Sequence, residues 1–399
     1  MTGHNGSRHD GYRERLAALA TNRGPIEAIV EAGEACGLWP VDRRWVCAYG
    51  RFFPGREPFV NMVFETEGDP QYVCCVEGYT TRPATTNGSA YLAERPDGWL
   101  AVTPFPCDDR LPTLAKALAR PGRRTVVRYR PRNRCTMRFQ DHDGRVQFVK
   151  VFRDDEGERS HANGLLLWAA TERRELGFTV ARPGGWDAGT RTMWQEGIPG
   201  VPTTAQYLAA GGATLADRMG RAAASLPQST VRPALVYDRA DHFRRSEAYA
   251  SDLRERVPRL GAVLDTLLQA MREVDAAVEH HELRPIHGSL SRTQWVDDPT
   301  GLGLVDFDKL AFGDPEFDVA AFLTELDYDR IRVDQIRDAF VSGYEAVAGP
   351  LDRRLLHLYA AHERLEKAVK AARAVRPDGD ERAAEHLETA TAECANPTT

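Results

Sequence analysis

Two short stretches hold most of the polar side chains that could do chemistry in this chain. HGSLSRTQ, residues 287–294, carries the imidazole of His287, the hydroxyl of Ser289 and the carboxamide of Gln294. LVDFDKLAFGDPEFD, residues 304–318, carries carboxylates at Asp306, Asp308, Asp314 and Asp318. Between them, QWVDD and GLGLVDFD read as strands parted by Pro299-Thr300-Gly301, so a hairpin would set the two stretches side by side. One cation also stands out. Lysine occurs only at 116, 150, 309, 367 and 370, so 52 basic residues minus 5 leaves 47 arginines. Lys150 lies in VQFVKVFR, where alternation places it on one face with Phe148 and Phe152. An ammonium and a guanidinium are not interchangeable at a phosphate, so a lysine kept in an apolar strand of an arginine-using chain invites a chemical role. A strand-edge lysine that guards against aggregation is the alternative.

The elements that must position these groups fall into two halves. WVCAYGRFF, FVNMVFETEG and QYVCCVEGY are rich in β-branched and aromatic residues and are parted by Pro54-Gly55 and Gly68-Asp69-Pro70, which reads as a run of strands and turns. A second set runs from Thr125 to Arg153, with a bend at Pro131 and an Asp143-Gly144 turn. Aligning Phe64 with Phe139 puts Cys75 opposite Lys150, as in two copies of one motif, and a chance pairing of β-rich stretches is equally open. Helical spacing appears in residues 24–38, from about Leu111, and in ERSHANGLLLWAATERREL. From Thr203 onward helices dominate, which together with the strands makes an α+β chain of two lobes.

The succession His-Gly-X, glutamine five residues after X, a strand ending in Asp306, then Gly313-Asp314-Pro315 and Asp318 resembles the aminoglycoside phosphotransferase and choline kinase-like family, relatives of the protein kinases. In that family X is aspartate, where this chain has Ser289. The likeness spans roughly Val126 to Leu326. It implies a two-lobe protein-kinase-like fold. With the strand, Gly/Pro and helix patterns of the chain, the expected division is an N-terminal extension of helix and β-hairpins over 1–120, a β-rich nucleotide-binding lobe over 121–196, a hinge at 197–202, and a mostly helical lobe over 203–399. It further implies ATP as phosphate donor and Mg²⁺ held by Gln294 and Asp306, with Asp308 helping through water. His287 would brace its loop by hydrogen bonding, and Asp314 would tie the loop after the metal strand back to it. Asp318 would share in this or simply favour a helix start. Lys150 would meet the α- and β-phosphates, with Glu158 or Glu156 as its partner. A glycine-rich phosphate loop is missing. RYRPRNRCTMRF instead places Arg130, Arg132 and Arg134 around Pro131, either as a phosphate grip or as a solvated turn.

An aspartate at position 289 would orient an acceptor hydroxyl and take its proton, which a serine cannot do; losing such a base typically costs about 10²- to 10⁴-fold. A loose transition state, a neighbouring acid such as Asp306 or Asp308, or an acceptor positioned by Ser289 would compensate. Two functions therefore stand side by side. One is a kinase moving the γ-phosphate of ATP to a hydroxyl of a small metabolite or of a Ser/Thr in a biosynthetic peptide; the other is an impaired pseudokinase that binds nucleotide or a protein. Glu325, Asp327 and Asp329 offer acidic contacts for a cationic acceptor, or form a solvated helix end.

At 399 residues with 42% hydrophobic content, the chain has material for two or three domains. A net charge of -6 provides no basic field for nucleic acid. The opening MTGHNGSRHDGYRERLAAL has no apolar signal core and no run of about 18 apolar residues occurs, so a cytoplasmic chain without a membrane span is expected. Seven scattered cysteines without a CxxC pair argue against disulfides and zinc. Oligomeric state is not legible.

Overall fold

A computed structural model describes residues 6–395 except 22, 41, 54–56, 69–71, 85–87, 120–121, 280–281, 299, 329–330 and 332–333. The turn signals at Pro54-Gly55, Asp69-Pro70 and Pro299, together with Asp329, therefore lie outside the described residues. The chain divides into two units. The first comprises Met1–Gly157, Trp186–Trp194 and Arg373–Gly379; the second comprises Glu158–Gly185, Gln195–Ala372 and Asp380–Thr399.

In the first unit the period-2 patterns become two five-stranded sheets. The first has the order Trp45–Phe53, Phe59–Thr66, Val73–Tyr79, Gly98–Pro104, Tyr91–Arg95, with antiparallel neighbours. Alternation sends Val60, Met62, Phe64, Cys74, Val76, Leu100 and Val102 to one face, where they pack against Leu16, Leu19, Ala28 and Ile29 of the helices Gly6–Thr21 and Gly24–Cys36. The other face gives Val63, Val73 and Cys75 to a second core, shared with Leu111 and Leu114 and with Tyr129, Cys135, Met137, Val149 and Val151 of the second sheet. That sheet has the order Pro183–Asp187, Thr192–Glu196, Val146–Phe152, Arg134–Gln140, Arg123–Arg130.

Both sheets follow one plan, a three-strand meander with a later strand pair laid beside its third strand. The registers fix the correspondence. Phe64 pairs with Cys74 and Asn61 with Glu77, while Phe139 pairs with Gln147 and Thr136 with Lys150. Matching Phe64 to Phe139 therefore puts Glu77, not Cys75, at the place of Lys150. The connection in the first sheet is two residues longer, and an ungapped alignment slips by that amount.

The second unit is mostly helical. Helix Ala205–Gln228 starts at Thr204, whose hydroxyl accepts the Tyr207 N–H at 3.1 Å, and it crosses helix Asp334–Ala348 closely. A Cβ at Gly220 would fall 2.0 Å from the Phe340 carbonyl oxygen, and one at Gly343 would fall 2.4 Å from that of Asp217, so only glycine permits this approach. Around the crossing, Leu215, Met219, Phe322, Phe340 and Tyr344 join Trp295 and Phe307 in one core. Helices Arg239–Arg256, Gly261–Ala276, Arg353–Arg373 and Gly379–Ala395 enclose another, containing Leu253, Leu264, Leu358, Leu365 and Leu387. Two small sheets interrupt the helices and carry the polar loops. One has the order Val201–Pro202, Trp295–Asp298, Gly301–Leu304, Thr179–Val180, the other Leu235–Val236, Ala311–Gly313, Arg284–Ile286. All seven cysteines are free thiols, and no helix among the described residues is long and apolar enough to cross a membrane.

Candidate active site

In the second unit the strand Arg284–Ile286 pairs antiparallel with Ala311–Gly313 and delivers the chain into His287-Gly288-Ser289. Gly288 has φ +79, and a Cβ there would fall 2.2 Å from the Lys309 carbonyl oxygen, so the loop lies directly on the Lys309 backbone. Asp318, buried at the start of helix Glu316–Tyr328, holds this loop from the other side. Its Oδ2 accepts the His287 N–H at 2.5 Å and its Oδ1 accepts the Gly288 N–H at 2.9 Å, with the Leu290 N–H as a third donor. Burial pushes the Asp318 carboxyl up to about 7, against the pull of those three N–H groups. His287 Nε2 donates to the Val305 carbonyl at 3.1 Å, and its ring lies 4.6 Å from that of Phe307. Ser289 is half-buried. The tie expected of Asp314 is made by Asp318 instead. Asp314 accepts the Tyr359 hydroxyl at 2.5 Å, because the turn before the helix aims the earlier carboxylate at helix Arg353–Arg373.

The hairpin inferred from the sequence sets the two stretches side by side. Trp295 pairs with Leu304, so the Val305 N–H reaches the Gln294 carbonyl at 3.1 Å and Gln294 and Asp306 flank one strand end. Gln294 is buried, and its Oε1 accepts the Ser291 N–H at 2.7 Å, which uses one of two lone pairs. Asp306 is half-buried and takes a left-handed backbone, φ 72 and ψ 48, a conformation costing a non-glycine residue about 1–2 kcal/mol. Asp308 is buried, and its Oδ1 accepts the Ser160 hydroxyl at 2.5 Å. One turn further along helix Glu156–Glu172, Asn163 donates to the Phe307 carbonyl at 2.9 Å. Asp327 is committed to Arg337 at 2.7 Å and Arg364 at 2.6 Å. Among the described residues no group of three or more His, Cys, Asp or Glu side chains could hold a metal. Gln294 and Asp306 are the residues that could hold Mg²⁺, which usually takes one or two protein oxygens together with phosphate and water.

In the first unit Lys150 is buried in strand Val146–Phe152, opposite Thr136. Arg130 and Arg134 face each other at the end of the neighbouring hairpin and are half-buried. Arg132, at the turn, has its guanidinium on Glu77. Glu158 belongs to the second unit and is exposed on its helix, whereas Ser160 and Asn163 are the buried polar residues of that element. Ser160, Asn163, Glu77 and Asp108 went unnoticed in the sequence. A buried position for a polar residue is their only signal, and it appears once partners more than 20 residues away are in place.

A β-rich unit bearing a buried strand lysine, and a helical unit bearing the His-Gly loop and the hairpin between Gln294 and Asp306, define a protein-kinase-like phosphotransferase fold. A family model of the phosphotransferase enzyme family matches residues 133–387, and the chain belongs to that family. Solved structures of similar fold include choline kinase LicA from Streptococcus pneumoniae, with TM-score 0.51 and 14% identity over 70% of this chain and 96% of that one. An aminoglycoside-3'-phosphotransferase of type VIII has TM-score 0.50 and 21% identity over 64% of this chain and 99% of that one. Amicoumacin kinase hAmiN, in complex with AMP-PNP, Ca²⁺ and Ami, has TM-score 0.51 and 14% identity over 71% and 93%. No curated protein matches the sequence.

Proposed function

We propose that this protein is an active, Mg²⁺-dependent kinase that transfers the γ-phosphoryl group of ATP to a hydroxyl of a small molecule, or of a Ser/Thr in a peptide. The observation that carries the reading is the metal hairpin: Gln294 and Asp306 flank one strand end, and Asp306 keeps a strained left-handed backbone there. The similar structures named choline kinase and aminoglycoside phosphotransferase support a small hydroxyl-bearing acceptor, and the AMP-PNP of another supports an adenine nucleotide. Bound Mg²⁺ would neutralise phosphate charge as the terminal bond breaks. Lys150 supplies a compact cation for the non-transferred phosphates. Asp318 and His287 hold the loop that presents Ser289 to the acceptor. As the acceptor oxygen bonds to phosphorus, the bond to ADP breaks, and the hydroxyl proton leaves late, to the transferred phosphoryl group or to solvent. Ser289 offers no carboxylate to take it, and Asp308 is already engaged by Ser160.

Ser289 itself favours a second reading, a nucleotide-binding chain that transfers nothing. Calorimetry with Mg-ATP and intact-mass screening of acceptor mixtures separate the two. The kinase reading expects a product heavier by one phosphate, and an Asp306→Ala variant without Mg²⁺-dependent nucleotide binding. Tight Mg-ATP binding with neither transfer nor hydrolysis would leave only the second.

A further inference from the structure

The turn between the strands of Arg130 and Arg134 contains no glycine, yet Arg132 adopts φ +63. A left-handed non-glycine residue persists only where the surroundings over-determine it. Here two carboxylates from the N-terminal extension do so. The Asp108 Oδ2 accepts both the Arg132 backbone N–H and the Tyr129 hydroxyl at 2.8 Å, while its Oδ1 accepts the Arg110 N–H at 2.9 Å. Glu77 meets the Arg132 guanidinium as a fork, Oε1 to Nε at 3.2 Å and Oε2 to Nη2 at 3.4 Å. The same carboxylate accepts Asn61 Nδ2 at 3.3 Å and the Tyr79 hydroxyl at 2.9 Å, so its orientation is fixed. The guanidinium also lies 5.5 Å from the centre of the Phe59 ring, which stacks on Phe53 at 5.0 Å and Tyr79 at 5.7 Å. Both carboxylates are buried, at 8% exposure each, whereas the Arg132 side chain is 39% exposed, so the Asp108 bond to the backbone N–H is the shielded one and the fork lies at the edge of solvent. The turn is bound to its own sheet too, through the Asn133 carbonyl, which accepts the Arg153 N–H at 3.0 Å.

We propose that the N-terminal extension is a built-in clamp on the nucleotide hairpin: Glu77 and Asp108 act through Arg132 to hold Arg130 and Arg134 in the geometry that meets the nucleotide phosphates. This rests on the kinase reading. A glycine-rich loop approaches phosphate with its backbone; this chain lacks one and offers guanidinium groups, which need a fixed frame to form charge-assisted bonds. Glu77 stands at the place of Lys150 in the first sheet, so the extension supplies a positioning group where the second sheet supplies a candidate phosphate contact.

Two variants of the full chain test this. Glu77→Gln keeps the shape but removes the charge on the fork, and Arg132→Gly removes the fork while making the left-handed turn strain-free. Both are expected to speed hydrogen exchange at the Asn133 amide and to weaken Mg-ATP binding about tenfold by calorimetry. Arg132→Gly should do so without lowering Tm, which a merely structural residue would not. Exchanging the charges, Glu77→Arg with Arg132→Glu, should restore affinity in part. Unchanged exchange in the turn would overturn the clamp. Faster exchange with unchanged affinity, over a wild type that binds Mg-ATP, would overturn the positioning role alone. A wild type that binds no Mg-ATP would overturn that role together with the kinase reading.

Discussion

Asp318→Asn should make the protein more stable at pH 8 and flatten the pH dependence of its stability. Three backbone N–H groups favour the Asp318 carboxylate, but burial outweighs them and lifts its pKa to about 7, from an ordinary 3.8. The sign follows from proton counting. Between those two values the folded chain holds a proton that the unfolded chain has lost, so stability falls as pH rises through the window. The contribution is fully present below about pH 4 and gone above about pH 7, on the order of 4 kcal/mol in all. Asparagine cannot ionise and removes this loss. Its amide turns N–H groups toward the His287 or Gly288 N–H, which leaves a buried donor unsatisfied at about 1–3 kcal/mol. The net gain at pH 8 is then about 1–3 kcal/mol, with little change at pH 5. Urea denaturation of the intact chain at both pH values reads it directly. An Asp318→Asn protein with the wild-type pH slope, or one less stable than wild type at pH 8, would refute the reasoning.

Lys150→Arg should weaken Mg-ATP binding in calorimetry, since a planar fork does not replace a point charge in a buried strand; equal affinity would return the residue to a packing role. Asp306→Gly should relieve the left-handed backbone and gain about 1 kcal/mol in urea while losing Mg²⁺-dependent nucleotide binding. Ser160→Ala should cost about 1–3 kcal/mol by stripping the buried Asp308 of its hydroxyl donor, read by the same denaturation. Ser289→Asp should raise turnover if the acceptor geometry survives without its base, and Ser289→Ala should then change little; a fall in both would mean that the serine hydroxyl itself handles the acceptor.

Whatever repeats or punctuates locally was legible in the chain. Alternation marked the strands, 3.6-residue spacing marked the helices, and the turn before Leu302 marked the hairpin that joins Gln294 to Asp306. Lys150 stood out by rarity against 47 arginines. What depended on distant partners was not legible. Asp314 and Asp318 are both acids beside one helix start, and only packing decides that the second meets the His287 loop while the first meets Tyr359, 45 residues on. Asp308 and Ser160 are 148 positions apart, and Arg132 and Glu77 are 55 apart. The equivalence of Glu77 and Lys150 stayed hidden as well, because strand register is set by cross-strand hydrogen bonds and a buried face. A sequence carries the period of each strand, but which residues of two strands face each other is decided only when the sheets close on a shared core.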